Sequence, residues 1–426
     1  MAASRYAIAM LMTLALVPAA WSQSAVPSPL NGNRETPRLS GDTELNNLLS
    51  VDLGISSHFD DNALNDNQHK VSNFIYQFAP RVSWDVSRAH WSFSADSLTT
   101  ISYSYNLPQY GRFGENLIVG FDFRPVRRLD FRLRNSFNRS SDPFTRYPGS
   151  NVPDFENPPN QSILGPPATR TSDQVGMDVT YQLGPHTNLG ASGSFALVNY
   201  ESSTVTPSFV QPDTYSVSGR AFVTHQFSPR HTSSLAYDIQ RFTFSTSLGT
   251  TTHSIAYYHT VTLTPSMSLS VWGGPEYVRT SAGFLPQPIQ GSWSWTAGAQ
   301  YGWTHNRTGV TASVVRQVSD GGGLGYAVQL VSANVGLRQR LSRRWVASAY
   351  VNYNVNHSVS GFGNFGTRYF SGNASVTRTF TPHLGLTVEY WRARQGRSTG
   401  LGLLVPSDHN RAAVTLHYTF SRSIGS

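Results

Sequence analysis

Along most of this chain, apolar and polar residues alternate one by one. In FIYQFAPRVSWDV, Phe74, Tyr76, Phe78, Val82, Trp84 and Val86 share one side of the zigzag, and Gln77, Arg81, Ser83 and Asp85 the other. HWSFSADSLTTISYSY repeats it: Trp91, Phe93, Ala95, Ile101, Tyr103 and Tyr105 oppose Ser92, Ser94, Asp96, Thr100, Ser102 and Ser104. SWSWTAGAQYGW, RWVASAYVNYNVN and NRAAVTLHYTF continue the pattern toward the end of the chain. Period two is the signature of strands with one apolar face, and no window sustains a helical period.

The strands are joined by connections that alternate short and long. Short ones are SRAH, RPVRR, GPHT, SPRH, TPSM, THNR, LSRR and TPHL; long ones include DDNALNDNQHK, TSLGTT, SDGGGLG and the stretch from Arg139 to Arg170. Eight short and nine long connections imply about eighteen antiparallel strands, an even number with both ends on one side. The recurring Ser/Thr/Gly-Pro word (GPHT, SPRH, TPSM, TPHL) reads as a tight turn. Proline presets φ at the first corner, and the preceding hydroxyl can bond the local backbone. The His and Arg that follow it are corner residues.

Composition narrows the architecture. Charged residues are 13% of the 426-residue chain and aromatics 12%. So few charges on so polar a chain means that the polar faces are Ser, Thr, Asn, Gln and Gly. A soluble β-sandwich or propeller would hide the apolar faces in a core. A membrane barrel turns them to lipid and the uncharged polar faces to a watery interior, and in hydrocarbon the sheet must close on itself. Trp84, Trp91, Trp293, Trp303, Trp345, Tyr390 and Tyr418 fall near expected strand ends, as interfacial girdles do. The expectation is all-β: a transmembrane antiparallel β-barrel of about 18 strands (16–18), with short periplasmic turns and long extracellular loops.

The start of the chain reads as an export signal, with Arg5 before the apolar run Tyr6–Ala20 and small residues at Ala20 and Ser22. The expected organisation is a signal peptide over 1–22, a flexible Pro-rich segment over 23–44 and the barrel over 45–426. Absence of cysteine excludes a lipid-anchored thiol, disulfides and thiolate metal sites. Net charge is +8, but Lys and Arg are scattered with no basic patch, so nucleic acid is not an expected partner.

Two stretches carry a family resemblance. The strand VTLHYTF (Val414–Phe420), with Leu416, Tyr418 and Phe420 in alternation, resembles the C-terminal assembly signal of Gram-negative outer-membrane barrels, although SRSIGS follows the Phe. The segment Phe59–Val82, FDDNALNDNQHKVSNFIYQFAPRV, resembles the opening of the β-barrel porin-2 group of outer-membrane proteins. The resemblance implies an outer-membrane location after export, contact with lipid and lipopolysaccharide, handling by the barrel-assembly machinery through the last strand, and a porin-like role. It supplies no catalytic residues, and homo-oligomerisation stays open.

A barrel of this size leaves an aqueous channel unless loops plug it. Parity puts Asp122, Arg124, Asp130, Arg132 and Arg134 on inner faces of neighbouring strands, and Asp178, Arg220, Asp238, Arg338, Arg340 and Glu389 on inner faces elsewhere. These are the candidate pore-lining residues; each could equally be one half of a wall salt bridge. Signs nearly balance, so weak selectivity is expected, tilted to anions by Arg132 and Arg134. Arg378 and Arg316 fall on the lipid side, where Arg378 could snorkel from its place beside a turn. The 139–170 connection is the third on its side and either folds inward, presenting Asp142, Arg146, Asp154 and Glu156 to Arg132 and Arg134, or covers the mouth as a flap.

Other chemistry finds little support. Thirteen His are dispersed without metal-ligand spacing, no Ser–His motif marks a nucleophile, and DGGGLG has no following helix to bind phosphate. Asp60 and Asp61 read as a solvated loop tip. Neither cofactor nor metal is expected. The function expected is passive diffusion of small polar solutes or ions, with a pore or scaffold for exopolysaccharide export second and a barrel enzyme third.

Overall fold

The computed structural model describes residues 47–65, 67–107, 112–141, 168–201, 211–282, 290–359, 366–396 and 406–423. The expected signal peptide and lead-in segment lie outside these residues, as do Asp142, Arg146, Asp154 and Glu156 of the long connection. The first strands are β1 (Leu48–Asp60), β2 (Asn73–Ser87), β3 (Trp91–Ser104), β4 (Arg112–Val126), β5 (Leu129–Ser140) and β6 (Thr169–Gly184). Then come β7 (Thr187–Glu201), β8 (Thr214–Ser228), β9 (His231–Phe244), β10 (Leu248–Thr264), β11 (Met267–Ala282) and β12 (Gln290–His305). The last are β13 (Thr308–Ser319), β14 (Val328–Arg340), β15 (Trp345–Ser358), β16 (Gly366–Thr379), β17 (Leu384–Gln395) and β18 (Ser407–Ser423).

Every strand pairs antiparallel with its sequence neighbours, and β1 pairs with β18 from Leu48↔Ser423 to Asp60↔Arg411, closing one 18-stranded barrel. Ser421–Ser423, beyond the Phe420 of the assembly-signal resemblance, continue β18 against Leu48–Ser50. Strands run 12 to 17 residues, longer than the roughly 9–11 that a tilted strand needs to cross a bilayer. No helix among the described residues is long and apolar enough to span one.

All eight short connections form tight turns at one end of the barrel, and the hydroxyl before the corner does what the sequence suggests. Thr381 Oγ1 accepts from the His383 and Leu384 amides at 3.3 and 3.0 Å. Ser228, Thr264 and Ser342 take the amides of Arg230, Ser266 and Arg344 at 3.3, 3.3 and 3.2 Å. In THNR, Asn306 supplies a left-handed corner at φ 48°, which Asn tolerates better than branched residues. One connection differs from expectation. TSLGTT is no long loop: β9 and β10 run on to a turn of Ser245, Thr246 and Ser247, with Ser247 at φ 62°.

The two faces separate cleanly. Leu53, Ile55, Phe74, Tyr76, Leu235, Tyr257, Val351, Tyr353, Val388 and Leu416 are all exposed on the outer face, with no second layer over them among the described residues. On the inner face of β15, Asn352 and Asn354 are buried and, with Asn334 of β14 and Tyr350, form a hydrogen-bonded ladder. Arg81 and Ser83 of β2 both hold Asp96 of β3. Aromatic rings lie over inner-face glycines across the strand gap: a Cβ on Gly190 would fall 2.1 Å from Phe222, and one on Gly298 2.2 Å from Trp272. Such rings need a glycine opposite them, because their own plane occupies the space of the neighbour's side chain.

Trp84, Trp91, Trp303, Trp345 and Tyr418 lie toward the tight-turn end and Trp293 toward the other. Tyr390 departs from the expected girdle, standing in mid-strand with its hydroxyl donating to Asn410 at 2.7 Å. Arg378 lies over the rings of Trp345 and Phe380 at 5.2 and 4.9 Å. Arg316 lies over Trp295 at 3.9 Å and donates to its carbonyl. Both outer-face arginines thus cover their charge with an aromatic face.

Candidate functional site

Register turns the inner-face charges into a continuous row around half the wall. Crossing the strands in order, Ser92, Asp122, Arg132, Asp178, Ser192, Arg220, Asp238, Ser254, Glu276 and Ser294 each stand directly opposite the next. Residues directly opposite on one face of an antiparallel pair are close enough to interact, so opposite signs meet at Asp122 and Arg132 and again at Arg220 and Asp238, with serines between the charged stretches. Arg132 lies 3.7 Å from Asp122 and 3.1 Å from Asp130, and Arg124 reaches Asp130 at 3.5 Å. Arg134 sits two residues along β5 on the same face, its charge acting on Asp178 together with that of Arg132. Arg220, with a side chain only 7% exposed, is ion-paired to Asp238 and donates to the Tyr258 hydroxyl at 3.3 Å.

The remaining sequence candidates stand apart from this row. Glu389 faces inward on β17 and accepts from Asn373 at 2.8 Å. Arg338 and Arg340 are exposed on the inner-face positions of β14 near the tight turns, with no ion pair among the described residues. Eleven residues chosen by parity therefore fall into one large cluster and two separate places.

Above the row, the β13–β14 connection leans inward. Gly321, Gly322 and Gly323 form one 3₁₀ turn, capped by the Asp320 carboxylate and buried. The segment reaches back along the wall to the β9–β10 turn, four strands away, where Thr246 donates to the Gly325 carbonyl at 3.0 Å. Phe242, Phe244 and Val278 pack with Val318 and Ala327 in one buried cluster. Gly321, Gly322, Gly323 and Gly325 all have positive φ, and a Cβ on Gly321 would strike the Tyr326 carbonyl oxygen at 2.1 Å. Four glycines are thus the condition for this inward fold. Tyr326 is only 7% exposed, and burial pushes its phenol up to about 12. Sequence reasoning looked for an inward loop at 139–170 and set DGGGLG aside; the glycine density was the signal, read there only as a failed phosphate motif.

Beneath that connection lies a recess of about 110 Å³ lined by Arg220, Asp238, Tyr258, Trp272, Glu276 and Asp320 among others. Glu276 is missing from the parity-based candidates, although β11 keeps its register through Pro275 and Glu276 shares the inner face with Ser270 and Trp272. It is 5% exposed, and its Oε2 has no hydrogen-bond partner.

Asp60 is not a loop-tip residue. It ends β1 facing inward, 1% exposed, and bonds both His409 and Arg411 of β18 across the closing seam. Asp61, Asp60 and His409 offer atoms close enough to share a metal ion, but Arg411 already holds the second oxygen of Asp60 at 3.0 Å. A guanidinium in that position suits a lock between strands better than a cation site.

No protein-family model matches the chain, and no curated protein matches it either. Among solved structures it is similar to three outer-membrane proteins of Pseudomonas aeruginosa. OpdK is 10% identical over 88% of this chain and 99% of its own, with a TM-score of 0.43. OpdO is 13% identical over 88% and 97%, TM-score 0.43. OccK2 (OpdF), solved in complex with glucuronate, is 10% identical over 88% and 98%, again at 0.43. Likeness at that level leaves the function to be argued from the chain's own wall, recess and inward connection.

Proposed function

We propose that this chain forms an outer-membrane channel through which small polar solutes or ions diffuse passively. The observation that carries the reading is the pairing of a closed 18-stranded barrel with an uncovered apolar outer face and a polar, ion-paired inner one. Leaving so many large apolar side chains in water is disfavoured by about 25 cal/mol per Å²; lipid removes that cost. On this reading residues 1–22 direct export, the outer face meets lipid and the loop end meets lipopolysaccharide. The assembly machinery reads β18.

Passage would then be governed by size and by the wall. Asp122, Arg124, Asp130, Arg132, Arg134, Asp178, Arg220 and Asp238 line one side of the pore, with Arg338, Arg340 and Glu389 on the other strands. The 320–327 connection narrows the way past them. Opposed charges on the wall orient a polar solute as it passes, with no energy source required.

Reconstitution of the mature chain into planar bilayers tests this. Stepwise, ohmic conductance with a measurable cation/anion preference is expected. A protein that stays monodisperse in detergent-free buffer, or a folded barrel that never conducts, would overturn it.

A further inference from the structure

The recess under the inward connection carries more information than the row as a whole. Three carboxylates line it, Asp238, Glu276 and Asp320, against one guanidinium, Arg220. Arg220 is already committed to Asp238, and the Asp320 side chain caps the glycine turn. That leaves Glu276, whose buried Oε2 lacks a donor. Thr214, 2% exposed, lines the same recess and likewise leaves its Oγ1 without a hydrogen-bond partner. Buried carboxylate oxygens are almost always satisfied by protein, water or ligand, so this one marks a place where a donor arrives from outside the fold. The floor is aromatic: Tyr258 and Trp272 stack at 6.1 Å with an interplanar angle of 24°. Arg316, whose charge also acts on Glu276, stands on the outer face against Trp295.

We propose that this recess is a binding subsite for small solutes bearing a primary ammonium group, with Glu276 as the residue that selects for it. Net negative charge in a partly desolvated cleft attracts cations and repels carboxylates. An ammonium supplies the donor that Glu276 Oε2 lacks, and the aromatic surface beside it also favours cations. The proposal rests on the channel reading for its physiological sense but not for its test. It also reverses the mild anion preference that Arg132 and Arg134 suggest.

The experiment uses 1,4-diaminobutane and, as the opposite charge, succinate, on the full chain folded in detergent and in bilayers. In detergent, diamine binding is followed by tryptophan fluorescence, which Trp272 makes responsive to the site. In bilayers, diamine added from the loop side should interrupt the current in a concentration-dependent way, and succinate should not. Glu276→Gln, nearly isosteric, should weaken diamine binding about tenfold or more, the loss expected when one charge-assisted hydrogen bond goes. Glu276→Asp should recover part of it, and gel-mobility heat modification confirms that each variant is folded. Diamine binding without any conductance would keep the subsite and remove the channel. Conductance with no diamine effect, or with an equal effect of succinate, would remove the subsite and keep the channel.

Discussion

Val351 offers the sharpest test of what the outer face touches. It is the seventh of the 14 residues of β15, lies 44% exposed on the outer face, and stands opposite Val335 on one side and Gly372 on the other. A strand rising about 3.3 Å per residue and tilted about 40° climbs roughly 2.5 Å per residue along the membrane normal. Six residues from the tight-turn end therefore put Val351 about 15 Å up, near the middle of an apolar band about 25 Å tall. An arginine there is too deep to snorkel, unlike Arg378, which sits one residue from the end of β16 and lies over Trp345. Val351→Arg should cost about 2–4 kcal/mol, the range for a cation at the midplane of an outer-membrane barrel, which is about a 30- to 1,000-fold loss in the folding equilibrium. Ser332→Arg, three residues nearer the loop end on the inner face of β14, should cost about 1 kcal/mol or less, since its side chain meets water and accepts a bond from Asn334. Reversible guanidinium unfolding from phosphatidylcholine vesicles, followed by tryptophan fluorescence, measures both. Equal costs for the two arginines would refute the assignment of faces, and a dearer Ser332→Arg would invert it.

The inward connection and the seam supply the remaining expectations. Gly321→Val should expel the connection from the lumen, because its Cβ would meet the Tyr326 carbonyl oxygen, and single-channel conductance should rise; unchanged conductance would show that the segment does not limit flow. The Tyr326 phenol is held at about 12, above its ordinary value of about 10. The folded-in state therefore holds the proton more tightly than a released one, so it is favoured below pH 10 and loses that advantage as pH rises through 12. Conductance should increase reversibly over that window and the increase should vanish in Tyr326→Phe. Asp60→Asn strips the ionic partner from buried His409 and Arg411 and should weaken closure by about 3 kcal/mol, read as a lower temperature for the loss of the folded band on gels. Gly298→Ala should tilt Trp272 away and blue-shift or quench its fluorescence without changing strand content by circular dichroism.

Strand number, turn positions and the facing of nearly every side chain were legible because they are local. Period-two alternation fixes which face Asp122 or Arg220 takes, and Ser/Thr-Pro corners such as Thr381-Pro382 announce where a strand must reverse. What was not legible depends on distance across the barrel. Nothing along the sequence brings Asp122, 98 residues before Arg220 by their numbering, into one row with it; that needs four successive registers. Glu276 escaped because Pro275 and the paired Gly273 and Gly274 blur the zigzag at the place where parity was needed. The 320–327 connection escaped because it is buried against β9, four strands away, by Phe242 and Phe244, whose inward aromatic character looks odd until something lies over it. The short Ser245–Ser247 turn was hidden by polar residues that serve equally well in a loop or in the strand ends it joins.

The seam between β1 and β18 has a consequence for how the chain must be made. Leu48 and Ser423, partners in the sheet, are 375 positions apart, and bringing such ends together costs about 5 kcal/mol of chain entropy before any pair forms. Until the last strand emerges, the growing sheet carries two raw margins, each a row of unanswered amides and carbonyls open to any passing strand. A polypeptide of this design therefore has to be shielded from its own siblings until β18 is in place, and only then can the ring shut.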